Sequence, residues 1–331
     1  SFEGTLEHPS CGVRTCSRCM TGSVRNPFPP RNGLRGPGKP IRFAKKDTDM
    51  KMWTEWRPFP GRLPEEQIFV IGDVHGRGGA LAMALDAMAQ VPREAPVRRL
   101  VSLGDLIDRG PANLYAIEAV RAGQETARVD RVDMLPGNHE YMMLDVIDDP
   151  SWASFYAGVG GLALIDELDP KGDAKTNQDV ARLLRDRVPE PFLDRMRSGP
   201  SHLRIGDLVL VHAGLYPTRD DTIQAQFLAQ GRVASLSEHW AWIRAPFLDW
   251  TGGWDEGRRV LVMHGHTSAV GRPVHPDVFF EAADLSLTHR RVCLDAGAAA
   301  CEQVGFAELR GGVNPVYRIG MARACPALEG P

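Results

Sequence analysis

The chain has no apolar run near the roughly 18 residues that a membrane-crossing helix needs, and its first residues lack the apolar core of a secretory signal. A membrane-spanning helix is thereby excluded, and a cytoplasmic location is expected. Cysteine is scarce. Cys11, Cys16, Cys19, Cys293, Cys301 and Cys325 are too few and too unevenly spread for a disulfide framework, and reduced thiols fit the cytosol. Acidic residues are missing altogether from His8 to Lys46, a stretch that holds nine Lys/Arg, and eight of the fifteen residues from Asn26 to Pro40 are Pro or Gly. Such a segment cannot bury a core, so 1–66 is expected to be a basic, disordered extension. Its C-x4-C-x2-C spacing, with His8 nearby, matches no standard set of four zinc ligands.

The remainder is compositionally ordinary. With 43% hydrophobic and 24% charged residues in 331, it is neither collagen-like, coiled-coil nor wholly disordered. At about 150 residues per domain, one large domain with embellishments or two modest ones are expected. Charge is divided unevenly, with 12 Lys/Arg against 7 Asp/Glu over 1–66 and 27 against 35 over 67–331. A body that acidic repels a phosphate backbone, so no specific nucleic-acid partner is expected. No internal repeat of fixed period is present.

From Gln67 the texture changes. QIFVIG (67–72), RLVSLG (99–104) and VDMLPG (132–137) are short apolar runs ending in glycine, the pattern of buried strands. Helical stretches follow at 79–90, 112–122 and 140–147, so the order strand, loop, helix repeats three times and predicts parallel βαβ units. The span 149–200 reads as a helical insertion. Strands are predicted again at 203–205, 208–212, 260–263, 291–294 and 304–309, with little helix between the last few and a meander-like second half. The expected fold class is α/β (α+β), a two-layered β-sandwich flanked by helices. The expected division is a catalytic domain over 67–320, insertions at 149–200 and 217–254 that set specificity, and a tail over 321–331.

Chemistry collects at the strand ends: Asp73 and His75 in GDVHG, Asp105 in GDLIDRG, Asn138 and His139 in GNHE, His212 in HAG and His266 in HGHT. Loops at the carboxyl ends of strands converge on one crevice. Glycine before Asp73, Asp105 and Asn138 allows a sharp turn that aims the next side chain inward. The steps of 32, 33, 74 and 54 residues between successive loops fit single βα units or units with an insertion. Asp, His and Asn without Cys suit Mn, Fe, Zn or Mg. Two such ions bridged by a carboxylate would generate a nucleophilic water for attack on phosphorus. Arg109 offers a planar fork for phosphate oxygens. His139 can protonate a leaving oxygen, with Asp108 holding its imidazole.

The ordered set GDVHG, GDLIDRG, GNHE, HAG and GHT, spanning about 67–297, resembles the phosphoprotein phosphatase (PPP) family of calcineurin-like metallophosphoesterases, in its bacterial form. The resemblance implies a β-sandwich flanked by helices. It further implies that Asp73 and His75 bind a first metal, that Asp105 bridges, and that Asn138, His212 and His266 bind a second, Mn²⁺ being the expected ion. His139 would be the general acid paired with Asp108, and Arg109 would bind phosphate. Trp242-Ile243-Arg244 is similar to the stretch that supplies a second phosphate-binding arginine in bacterial members, which assigns that role to Arg244. Leu106-Ile107 stand where eukaryotic members usually carry Tyr-Val, a change that touches nothing catalytic.

The expected activity is hydrolysis of phosphoprotein phosphate on Ser, Thr or Tyr by a metal-dependent phosphomonoesterase. Symmetrical hydrolysis of dinucleoside tetraphosphates on the same metal core is the alternative, and a non-catalytic scaffold is disfavoured by the complete ligand set. His264, two residues before His266, is expected to support the site rather than ligate. Asp295 either orients a histidine or makes a turn. Trp240, Trp242, Trp250 and Trp254 read as core first and as a nucleobase platform second. His8, His202, His239, His275 and His289 read as core or surface histidines, and Cys293 and Cys301 as buried apolar fillers.

Overall fold

The computed structural model describes residues 52–233 and 237–324. In chain order it contains β1 (Arg57–Pro58), β2 (Glu66–Ile71), α1 (Gly78–Gln90), β3 (Val97–Ser102), α2 (Asn113–Arg121), α3 (Gly123–Thr126), β4 (Arg131–Met134) and α4 (Asn138–Asp148). The helical insertion follows as α5 (Ala153–Tyr156), a wide turn over Ala157–Gly161, α6 (Leu162–Leu168), α7 (Asn177–Arg187) and α8 (Glu190–Ser198). Next come β5 (His202–Ile205), β6 (Leu208–Val211), α9 (Asp221–Leu228), α10 (Ala245–Leu248), β7 (Leu261–His264) and α11 (Pro276–Ala283). The chain closes with β8 (Asp284–Leu285), β9 (Arg291–Cys293), β10 (Gln303–Arg310) and β11 (Val316–Arg323).

Two sheets form, as the repeated βαβ pattern and the later strands predict. The first has the order β1-β11-β10-β2-β3-β4, with β2, β3 and β4 parallel and the other pairings antiparallel. The second runs β5-β6-β7-β9-β8, with β6-β7 and β7-β9 parallel. The predicted meander is therefore corrected: the central pairings of the second sheet are parallel and only its edge strands β5 and β8 pair antiparallel, and α11 fills the connection between β7 and β9 that was expected to lack helix.

Alternation along each strand divides the core in two, because successive side chains point to opposite faces. Ile68, Val70 and Val101 of the first sheet pack with Leu208, Leu210, Leu261, Met263 and Val292 of the second. Phe69, Ile71 and Leu100 point the other way, onto Ala80, Leu81, Ala84, Leu85 and Met88 of α1. Each such large side chain, fully buried, stabilises by about 1.5–3 kcal/mol. A strand buried on both faces reads as an unbroken apolar run, which is why β2 is visible in sequence.

Two expected boundaries move. Trp53 bridges to Gly320, β1 pairs with β11, and Phe59 and Leu63 are buried, so the domain's packed part includes 52–66. At the other end 321–323 belong to β11 rather than to a tail. Residues 1–51 and 325–331, with His8, Cys11, Cys16, Cys19 and Cys325, lie outside the described residues. No helix among the described residues is long and apolar enough to cross a membrane.

Candidate metal centre

The ends of β2, β3 and β4 and of β6 and β7 face one crevice, and the predicted residues meet there. Asp73, His75, Asp105, Asp108, Asn138, His139, His212 and His266 are all buried. The loops cross so tightly that a Cβ on Gly104 would lie 2.4 Å from the Gly137 nitrogen, and Gly104 itself turns at φ 102°. The sharpest backbone, however, is not confined to glycine. His75 (φ 47°), Asp105 (φ 50°), Asp108 (φ 75°), Arg109 (φ 68°) and His266 (φ 65°) all occupy left-handed conformations that cost a side-chain-bearing residue about 1–3 kcal/mol. Strain of that kind persists only where the surroundings enforce it, and five of the eight left-handed non-glycine residues among the described ones gather in this crevice, Arg128, Arg258 and Arg290 being the other three.

Two clusters of donor atoms share Asp105. His75, Asp105 and His139 form one, and Asp105, His212 and His266 the other, with the donor atoms of each within 4.8 Å of one another. His75 Nε2 is 3.7 Å from Asp105 Oδ2 and 4.0 Å from Asp73 Oδ2, while its Nδ1 is held by the Ile107 carbonyl at 2.9 Å. His212 is held likewise by the Leu103 carbonyl at 2.9 Å, leaving Nε2 3.5 Å from Asp105 Oδ2 and 3.0 Å from Asn138 Oδ1. His266 Nδ1 lies 2.9 Å from the same Asn138 oxygen, and its backbone N–H donates to Asp73 at 3.1 Å.

Burial keeps these imidazoles neutral, lowering His75 to about 3 and holding His212 and His266 below their ordinary value. Burial and the neighbouring Asp295 and Asp105 push the Asp73 carboxyl well above the usual range. Neutral imidazole nitrogens, carboxylate oxygens and the Asn138 amide oxygen converge on the shared Asp105. That donor set fits divalent cations of the oxygen- and nitrogen-preferring kind.

Within the first cluster, His139 is engaged at both nitrogens: Nδ1 pairs with Asp108 Oδ2 at 2.7 Å, and Nε2 lies 3.2 Å from Arg109 Nη2. Burial opposes charge on His139, but Asp105 and Asp108 outweigh it and raise the imidazole above its ordinary value. Asn138 and His139 open α4, whose Glu140 accepts the N–H groups of Gly137, Asp105 and Leu106 at 2.8 Å each and so locks two ligand loops together. Burial and Asp105 push Glu140 up to about 7. Arg244 is exposed and donates to Thr267 Oγ1 at 3.0 Å, next to His266.

The flanking expectations resolve as follows. His264 points away from the clusters, accepts from Arg291 Nη1 at 3.3 Å and packs edge-on to Phe247 at 4.8 Å. Asp295 makes a turn, its Oδ1 accepting from the Gly297 N–H at 2.8 Å. Trp240 and Trp254 are core, and Trp242 lies edge-on to His266 at 6.3 Å. Cys293 and Cys301 are buried. Three supporting residues were not foreseen: Glu140, Asn113 and Tyr156. Glu140 stands inside the GNHE motif, whereas the other two carry no local signal.

A crevice of this construction on a two-sheet sandwich is that of a metal-dependent phosphoesterase. The family model described as calcineurin-like phosphoesterase matches residues 67–290, and the chain belongs to that family. It is 29% identical over 172 residues to a symmetrical bis(5'-nucleosyl)-tetraphosphatase of Chromohalobacter salexigens, covering 51% of this chain and 53% of that protein. Against the protein of the same name from Yersinia pseudotuberculosis it is 30% identical over 169 residues, covering 51% and 49%. The chain thus spans about half the length of the curated relatives it matches. A solved protein serine/threonine phosphatase of Saccharomyces cerevisiae aligns with 81% of this chain and 82% of its own, at 14% identity and a TM-score of 0.43.

Proposed function

We propose that the protein is a dinuclear metal-dependent phosphomonoesterase acting on phosphoprotein substrates. Asp73, His75 and Asp105 would hold one cation, and Asp105, Asn138, His212 and His266 the other, with Mn²⁺ the proposed ion. When bound, the pair supplies Lewis acidity toward phosphoryl oxygens and an acidified water. Arg109 and Arg244 bind the phosphate oxygens. His139 delivers a proton to the leaving oxygen as the P–O bond breaks, and Asp108 steadies the imidazole through that transfer.

The observation that carries the substrate class is the 2.7 Å pair of Asp108 and His139. An alkoxide, the leaving group of phosphoserine or phosphothreonine, is too basic to depart unprotonated, so a built general acid matters most for it. A nucleotide phosphate leaves readily without one. The second reading, symmetrical hydrolysis of dinucleoside tetraphosphates, is favoured by the names of the curated relatives.

The test is kcat/KM with added Mn²⁺ for phosphoserine, phosphothreonine and phosphotyrosine peptides beside a dinucleoside tetraphosphate, with Asp105→Asn as blank. A preference of about a hundredfold for a peptide, some 2.7 kcal/mol of transition-state discrimination, is expected. The same preference for the dinucleotide selects the second reading. Rates no higher than the blank on every substrate would overturn both.

A further inference from the structure

The insertion reaches the catalytic crevice from behind. Tyr156, the last residue of α5, is fully buried, and its hydroxyl donates to Asp108 Oδ1 at 2.6 Å. The other carboxylate oxygen holds His139 at 2.7 Å, so the carboxylate is gripped from both sides. Two further anchors come from the same insertion. Arg109 N–H donates to the Gly160 carbonyl at 2.9 Å, at a turn where Gly160 has φ 125° and a Cβ would press to 2.6 Å from Arg109 Cγ. Glu167 of α6 accepts Asn113 N–H and Nδ2 at 2.6 and 2.8 Å, and Asn113 Oδ1 in turn accepts the Asp108 N–H at 2.6 Å. Asp108 and Arg109, both left-handed, are therefore held in that strained conformation by insertion groups 48 or more residues away in sequence, Tyr156 and Gly160 directly and Glu167 through Asn113.

Resting on the phosphomonoesterase reading, we infer that Tyr156 is a positioning residue for the proton transfer, fixing through its O–H the Asp108 carboxylate that orients His139. The insertion thereby acts as a part of the catalytic machinery and not only as a specificity surface. A carboxylate oxygen left without its donor rotates or recruits water, and the imidazole it steers loses its aim at the leaving oxygen. The effect belongs to proton delivery alone. Substrate binding and metal ligation use other side chains.

Tyr156→Phe removes the hydroxyl and keeps the ring that packs against Gly161. The experiment compares kcat and KM of wild type, Tyr156→Phe and His139→Asn on an alkyl phosphate and on p-nitrophenyl phosphate, with metal content measured for each. For Tyr156→Phe the expected result is an about tenfold lower kcat on the alkyl phosphate, a fraction of the roughly 10²–10⁴ that a general acid contributes. On p-nitrophenyl phosphate the loss stays below about twofold, with KM and metal content unchanged. Equal losses on both substrates, no loss on either, or loss of metal would each overturn the inference. The underlying reading fails separately, if wild type cleaves neither substrate or if His139→Asn shows no leaving-group dependence. If His139→Asn shows that dependence and Tyr156→Phe does not, only the role of Tyr156 is lost.

Discussion

His212 Nε2 and Asn138 Oδ1 face each other at 3.0 Å as two acceptors. The His212 proton is on Nδ1, donated to the Leu103 carbonyl, and burial prevents the ring from taking a second one. A buried pair of lone pairs costs free energy until a cation or a water lies between them. The His75, Asp73 and Asp105 side chains repeat the situation on the other side of Asp105.

The shared carboxylate is thus the point at which both clusters fail together. Asp105→Asn halves the charge available to two cations and should empty or disorder both sites. Metal stoichiometry should fall, and kcat should drop by more than the roughly 10–100-fold that even an outer partner of a metal site costs. A variant that retains full metal content and rate removes Asp105 from the bridging position.

His139 tests a different link. His139→Asn removes a donor atom near the first site but leaves the proposed ligands Asp73, His75, Asp105, Asn138, His212 and His266 in place, so metals should stay bound. kcat should fall by about 10²–10⁴, most for alkyl phosphates and least for p-nitrophenyl phosphate. A uniform loss across leaving groups argues that His139 acts otherwise than as the acid.

How far the site was legible follows from where its information resides. The five motifs are local, since each sits within a few residues of the glycine or strand end that aims it, and β2, β6 and β7 carry theirs on nearly unbroken apolar runs, whereas β3 and β4 are interrupted by Arg98, Arg99 and Asp133. Strand β11 escaped prediction because Arg318 and Gly320 interrupt its apolar pattern and its pairing with β10 supplies the order. Helix α11 did carry a signal, with His275 accepting from Asp277 N–H at its start and Pro276 in the first turn. Tyr156 had none, because its meaning depends on a contact to Asp108 made only after the insertion folds back.

The two arginines are separable by kinetics. Each charged hydrogen bond to phosphate is worth about 1.5–3 kcal/mol, so Arg109→Ala and Arg244→Ala should each lower kcat/KM by roughly 10–100-fold. Arg109→Lys should restore little, because a point charge cannot reproduce a fork held beside His139. Inhibition by inorganic phosphate checks the assignment: both alanine variants should require more of it, and an unchanged inhibition constant for either removes that residue from the phosphate site.

His264 makes a prediction about stability rather than rate. Burial and Arg291 lower its folded pKa to about 3, against an ordinary value of 6.5. Between those values the unfolded chain binds a proton that the folded chain refuses, so stability increases as pH rises through this window and declines as pH falls toward the folded pKa. Between about pH 5 and pH 6.5 this one residue should account for roughly 1–2 kcal/mol of the gain, the slope flattening as the unfolded histidine itself loses its proton near 6.5. His264→Gln keeps an acceptor for Arg291 but cannot titrate. Urea unfolding of the metal-free proteins at the two pH values should therefore show a smaller gain for the variant than for wild type. Equal gains would mean that His264 is protonated, or solvated, in the folded state, contrary to its position between Phe247 and Arg291.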